Sequence, residues 1–177
     1  MNKKILILGD TGMLGSKILD QSKVLGFETY GCSRHSDDIK LDLTNITKTR
    51  RMLNRIKPDV LINSAAEINF NKCEKDIDHA LKINSFLVKN LAKWSSENRK
   101  KFIQVSTDQF FSKSKKKKNS ENEIVSFVNN YGVTKYIGEI FAKETKNHLI
   151  LRTNIIGLKK EKDNFLSWVI NSIKKKR

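Results

Sequence analysis

A chain of 177 residues can enclose one domain with a hydrophobic core and is short for two. Lys plus Arg number 35 against 19 Asp plus Glu, a net charge of +16, but the basic residues are spread along the chain. The runs at 115–118 and 174–177 carry no interleaved aromatics, so specific nucleic-acid binding is not expected. No apolar run is long enough for a membrane span, no signal pattern precedes the first strand, and Cys32 and Cys73 lack C-x-x-C or C…H spacing. These features predict a cytoplasmic protein with free thiols and no metal site.

Residues 3–8 read as a strand too apolar to have a solvent face, running into Gly9, Gly12 and Gly15 at G-x-x-G-x-x-G spacing. Strand, glycine turn and helix in that order suit a dinucleotide pyrophosphate. Gly9 permits the turn, Gly12 admits the phosphates to the backbone, and Gly15 brings the helix close to the strand. The spacing predicts a helix over 13–25 with Leu14, Ile18 and Leu25 inward, stopped by Gly26, and a strand over 27–32. At that strand's end stand Ser33, Arg34 and His35, where a guanidinium would accommodate a 2′-phosphate and favour NADP over NAD, or else merely solvate a loop. Asp42 either reaches an adenine edge or caps the helix that starts near Asn45.

Pro58 closes the helix over 44–56. A strand over 59–63 is followed by the small residues Ser64, Ala65 and Ala66, which allow a ligand, or a helix, to lie against the backbone. Cys73 falls in a loop. One long helix is predicted over 76–94, with Ala80, Ile83, Leu87 and Leu91 on one stripe and Asn84 beside it. A strand over 102–105 delivers Ser106, Thr107 and Asp108 at its carboxyl end. Residues 112–122 form a basic, low-complexity surface loop. Then come a helix over 130–146, a strand over 148–152 and a last helix over 165–173. The alternation of strand and helix predicts a Rossmann-like doubly wound parallel sheet in three α/β/α layers, as one nucleotide-binding domain over 1–177.

Tyr131 and Lys135 are four residues apart, on one helix face. An ammonium one turn away would favour the phenolate and bring the phenol toward the working range, with Thr107 orienting a substrate oxygen; alternatively this is only a solvated helix face. The ordered set changes the weighing. ILGDTGMLGS (7–16), LDLTN (41–45), KPDVLINSAA (57–66), VSTDQFF (105–111), YGVTKYIGE (131–139) and LRTNIIG (151–157) together resemble the extended short-chain dehydrogenase/reductase family, most nearly its dTDP-4-dehydrorhamnose reductases and other sugar-nucleotide reductases.

The resemblance implies a cytoplasmic NADPH-dependent oxidoreductase that reduces a keto group on a nucleotide-linked sugar, in polysaccharide or cell-surface sugar synthesis, with NAD as a possible cofactor. Tyr131 would be the catalytic acid and Thr107 would share the substrate oxygen, while Lys135 would hold the nicotinamide ribose and lower the tyrosine pKa. Gly9, Gly12, Met13, Leu14 and Gly15 would bind pyrophosphate, Asp42 and Leu43 would flank adenine, and Ala65 would lie along the cofactor. The chain departs from the pattern at Gln109 and Phe110, in the lysine tract and in the absence of a proline before Tyr131. The resemblance stops near residue 173, where relatives continue into most of the sugar-nucleotide pocket. This predicts a substrate part largely absent, or supplied by a partner chain or a homo-oligomer. Alternatives are an inactive nucleotide-binding or regulatory module of the same fold, and sugar-nucleotide epimerase or dehydratase chemistry.

Overall fold

In the computed structural model, which describes residues 3–111, 119–157 and 171–173, β1 (Lys4–Leu8) has hydrogen-bonded neighbours on both sides. Its apolar residues supply both sheet faces, as an unbroken run requires. It lies between β2 (Glu28–Ser33) and β4 (Val60–Asn63), with Leu6 opposite Tyr30 on one side and Leu61 on the other. With β3 (Ile39–Lys40), β5 (Lys101–Thr107) and β6 (His148–Thr153), the order is β3-β2-β1-β4-β5-β6, every pair parallel. The direction of winding reverses at β1, so the crevice beyond the carboxyl ends of β1 and β4 is where a ligand fits this topology.

The alternation of side chains along β1 divides the core. Leu6 and Leu8 join Leu61 and Phe102 beneath α2 (Ile46–Ile56), α5 (Leu87–Glu97) and α6 (Asn130–Lys143), whose Leu53, Leu87, Leu91, Trp94 and Ala142 complete the larger cluster. Ile5 and Ile7 face the other way with Ile62, against Ile18 and Leu19 of α1 (Met13–Val24). The indole of Trp94 donates to Asn54 Oδ1 at 2.7 Å and ties α5 to α2. This is the expected Rossmann-like three-layer fold.

Several local expectations are corrected. The stripe over 13–25 does not extend to Leu25, which is 70% exposed and forms the cap of a helix ending at Val24; Gly15 and Ser22 are the buried positions. The helix that follows Asp42 is capped by Asn45, whose Oδ1 accepts from Lys48 N at 3.0 Å, while Asp42 Oδ1 accepts from the backbone and hydroxyl of Thr44. Cys73 lies on a helix, α3 (Phe70–Lys75), and both cysteines are buried free thiols.

The long helix expected from residue 76 is broken into α4 (Ile77–Leu81), a π-helical turn (Lys82–Phe86) and α5. β5 reaches Thr107, so Ser106 and Thr107 are strand residues rather than the loop after it. Of the basic loop over 112–122, residues 112–118 lie outside the described residues. Of the closing helix over 165–173, only 171–173 are described, and these are helical. No helix among the described residues is long and apolar enough to cross a membrane.

Candidate active site

The first wall of the crevice is main chain packed on main chain. Gly9 has φ +80°, and a Cβ there would stand 2.7 Å from Ala65 N, so the turn after β1 meets the turn after β4 without side chains between them. Gly15, in the first turn of α1, sits over Gly9 O so closely that a Cβ would be 2.2 Å away, and 2.7 Å from Ser64 Oγ. Ser64 Oγ donates to Leu8 O at 2.7 Å and locks the two turns.

α1 starts at Gly12 with no side-chain cap, whereas α2, α3, α4 and α6 each begin with an Asn or Asp whose side chain accepts a backbone N–H. The amides of Met13, Leu14 and Gly15 therefore lie at the positive end of a helix dipole with no carboxylate or amide side chain in front of them. A cradle that a Cβ would fill, below an uncapped helix terminus, fits a pyrophosphate.

Around this wall, Arg34 is exposed directly beyond the end of β2, and Asp42 is exposed beside it, its carboxyl held below the usual range by the Thr44 hydrogen bonds and, more weakly, by Arg34. Leu43 belongs to the core, 8% exposed. Ala65 is half-buried at the crevice edge, and its N–H donates to Asn63 Oδ1 at 3.2 Å.

The second wall is made of side chains. Thr107, at the last position of β5, lies close enough to the Tyr131 hydroxyl to favour its ionised form, and its Oγ1 accepts from Gln109 N at 3.2 Å. Tyr131 sits in the first turn of α6, its ring 5.1 Å from that of Phe70. Glu74 of the same short α3 accepts from Asn130 N at 2.7 Å and Asn130 Nδ2 at 2.9 Å, so α3 clamps the start of α6.

Lys135 is almost fully buried and its Nζ donates to Val105 O at 2.7 Å. Burial brings its pKa down to about 8, against the opposing charge of Glu139. The expected tuning of the phenol is corrected here. Burial pushes the Tyr131 pKa up, the nearby Thr107 hydroxyl offsets part of that, and Lys135 contributes no resolved share, its amine being turned to the β5 backbone. Tyr131 thus holds its proton at neutral pH.

Other residues that hold this wall in place carry no obvious signal in the sequence. Asn63 Nδ2 donates to Gln104 Oε1 at 2.8 Å, and Gln104 Nε2 donates to the same Val105 carbonyl that Lys135 uses, linking the Ala65 turn to the lysine. The π-helical turn presents Asn84, which donates to Thr134 Oγ1 and Glu67 O and accepts from Glu67 N, while Ser85 Oγ donates to Thr134 O at 2.7 Å. Gly138 lets α6 press on that turn, since a Cβ there would lie 2.2 Å from Asn84 O. Glu139, fully buried, takes a forked pair of bonds from Arg152 at 2.7–3.2 Å. Arg152 also stacks over Phe110 and Phe111 and donates to Glu121 O. Two buried polar atoms flanking Thr107, Ser106 Oγ and Asp108 Oδ1, have no partner among the described residues.

Comparison with known proteins gives the family and the fold. The profile of the RmlD substrate binding domain family matches residues 3–177. The dTDP-4-dehydrorhamnose reductase of Shigella flexneri is 31% identical over 151 residues, covering 85% of this chain and 50% of that protein. The crystal structure of dTDP-4-dehydrorhamnose reductase from Bacillus anthracis, in complex with NADP, superposes with a TM-score of 0.87 at 29% identity, covering 100% of this chain and 61% of that one. The corresponding structure from Clostridium acetobutylicum gives 0.86 at 35% identity, over 97% and 60%. The chain thus spans about half to three-fifths of the length of these relatives.

Proposed function

The chain belongs to the RmlD substrate binding domain family, and from that premise we propose that it is an NADPH-dependent reductase of a keto group on a nucleotide-linked sugar. The observation that carries the reading is the closeness of the Thr107 and Tyr131 hydroxyls at the carboxyl edge of β5. The same carboxyl edge of the parallel sheet carries the glycine turn formed by Gly9, Gly15 and the uncapped start of α1. Similarity to dTDP-4-dehydrorhamnose reductases, one of them crystallised with NADP, supports the reading.

In this reading Gly9, Gly12 and Gly15, with the amides of Met13 and Leu14, hold the pyrophosphate. Arg34 and Asp42 border the adenosine end, with the backbone of Leu43 beside them, and Ala65 lies along the cofactor. Lys135, anchored on Val105 O, has two further N–H groups to give to the nicotinamide ribose. When bound, the cofactor supplies the hydride that the chain's own side chains cannot.

The chain supplies position and the proton. A carbonyl oxygen seated between the Thr107 and Tyr131 hydroxyls accepts hydrogen bonds from both, and the Tyr131 O–H bond breaks as the proton passes to that oxygen. Burial suits Tyr131 to this, because it keeps the phenol protonated until negative charge grows on the substrate oxygen.

The test is consumption of NADPH by the chain in the presence of a dTDP-4-keto-6-deoxy sugar, wild type against Tyr131→Phe, with cofactor binding followed separately. The reading predicts turnover in the wild type and its loss in the variant, with binding kept in both. NADPH binding by the wild type without any turnover would overturn it in favour of a nucleotide-binding module.

A further inference from the structure

One charge inside the glycine turn has no part in the chemistry above. Asp10 is only 5% exposed. Its Oδ2 accepts from Ser36 Oγ at 2.5 Å, and it lies over β2 so closely that a Cβ at Gly31 would stand 2.3 Å from it. Ser36 is itself fixed, accepting from Asp38 N and Ile39 N. The second carboxylate oxygen, Oδ1, is buried and has no partner among the described residues. Thr11 Oγ1 and Ser33 Oγ, 3.1 Å apart, close the same corner, so the turn and the end of β2 form one surface. A buried carboxylate oxygen without a donor is costly, and the cost is relieved by a donor arriving from outside.

In a sheet of this order the acid that receives an adenosine 2′-hydroxyl stands at the end of β2. Here β2 ends in Ser33 and the exposed Arg34, and the acid rises from the turn instead. Of the other carboxylates nearby, Asp38 is engaged by Gly31 N at 2.8 Å and Lys23 Nζ at 3.5 Å, and Asp42 by the backbone and hydroxyl of Thr44. The Asp10 charge is felt within β2, where burial pushes the Cys32 thiol up to about 12 and Asp10 adds to the rise.

Resting on the nucleotide-binding reading above, we propose that Asp10 is a specificity-determining residue at the adenosine end. Its unpaired oxygen accepts from a ribose 2′-hydroxyl, and its charge opposes a 2′-phosphate that Arg34 attracts. The preference for NADPH is therefore set by two opposed charges, one on each side of the strand end, with Asp10 holding it down.

Fluorescence titration of the 177-residue chain with NADPH and with NADH tests this, in wild type and Asp10→Asn, which keeps the shape and removes the charge. The variant is expected to bind NADPH about tenfold more tightly relative to NADH than the wild type does. A ratio of the two dissociation constants unchanged within about twofold would overturn the proposal while leaving nucleotide binding intact. A wild type that binds neither nucleotide would overturn this inference and the function it rests on. Should Asp10→Asn fail to fold, Asp10→Ser with adenosine 2′,5′-bisphosphate and AMP as probes gives the same comparison, with the same direction expected and the same null result overturning it.

Discussion

At the glycine turn, backbone meets backbone: Gly9 against Ala65 and Gly15 against Gly9, with one serine hydroxyl as the lock. At α6 the wall is fastened by side chains from elements far apart in sequence, Asn84 and Ser85 on Thr134, Glu74 on Asn130, and Arg152 on Glu139. The first construction fixes its geometry by leaving atoms out, and any added Cβ disturbs it. The second fixes it by satisfying buried polar groups in pairs, and fails when one partner is lost. An anion site gains from rigid amides, whereas a proton donor needs its surroundings tuned, and in the proposed function the two walls divide the labour accordingly.

The sharpest way to break the second wall is Glu139→Ala, which leaves Arg152 without its forked partner. Urea unfolding should show a loss of about 3–5 kcal/mol. A loss within the error of the measurement would mean that α6 does not depend on the pair.

A matched pair of glycine variants separates the walls. Gly15→Ala and Gly138→Ala each force a Cβ to within 2.2 Å of a carbonyl oxygen, and each should cost about 1–3 kcal/mol by overpacking. Only Gly15→Ala should also abolish NADPH binding in a titration, because Gly138 touches the π-helical turn and not the cradle.

Lys135→Met probes the tuned wall through pH. Folded Lys135 releases its proton near pH 8, well below its ordinary value of 10.5. Between those values the native state binds fewer protons than the unfolded chain, so wild-type stability rises with pH, and below 8 the full desolvation cost is present. That cost is on the order of 3 kcal/mol, offset by about 1 kcal/mol for the Val105 hydrogen bond. Lys135→Met should therefore be more stable than wild type by about 2 kcal/mol at neutral pH. The gain should shrink as pH rises from 8 toward 10.5, read from denaturant midpoints at each pH. A gain that stays flat with pH would contradict the buried-ammonium account.

The smallest effect is expected at the cap of α6. Asn129 Oδ1 accepts from Gly132 N at 2.7 Å, and Asn129→Ala should lower stability by about 1 kcal/mol in thermal unfolding.

The division between the walls also decides what could be read in advance. Alternating strand and helix patterns and glycine spacing are local, so the parallel α/β layering, the turn after β1, and the grouping of Thr107, Tyr131 and Lys135 were legible in the sequence, whereas the order of the strands and the two-residue β3 were not. The fastenings were not, because Glu139 and Arg152, or Asn84 and Thr134, are ordinary surface-type residues until the fold brings them together. The single long helix over 76–94 fails for a local reason: the apolar stripe continues through the π-helical turn, and only the polar contacts of Asn84 and Ser85 with α6 and the Glu67 turn mark the change of winding. Leu25 keeps helical spacing but falls one position past the helix. The state of Tyr131 depends on burial and on where the Lys135 amine points, neither of which spacing reveals.

The most direct test of the central claim is calorimetric titration of the chain with NADPH, wild type beside Gly12→Val. Among the described residues a Cβ at Gly12 would come within 4 Å of Gly9 O alone, at 3.0 Å, so the variant should fold while its added bulk occupies the phosphate approach. Saturable binding in the wild type that disappears in Gly12→Val, with thermal unfolding little changed, is the predicted result; equal affinity in both, or none in the wild type, would contradict it.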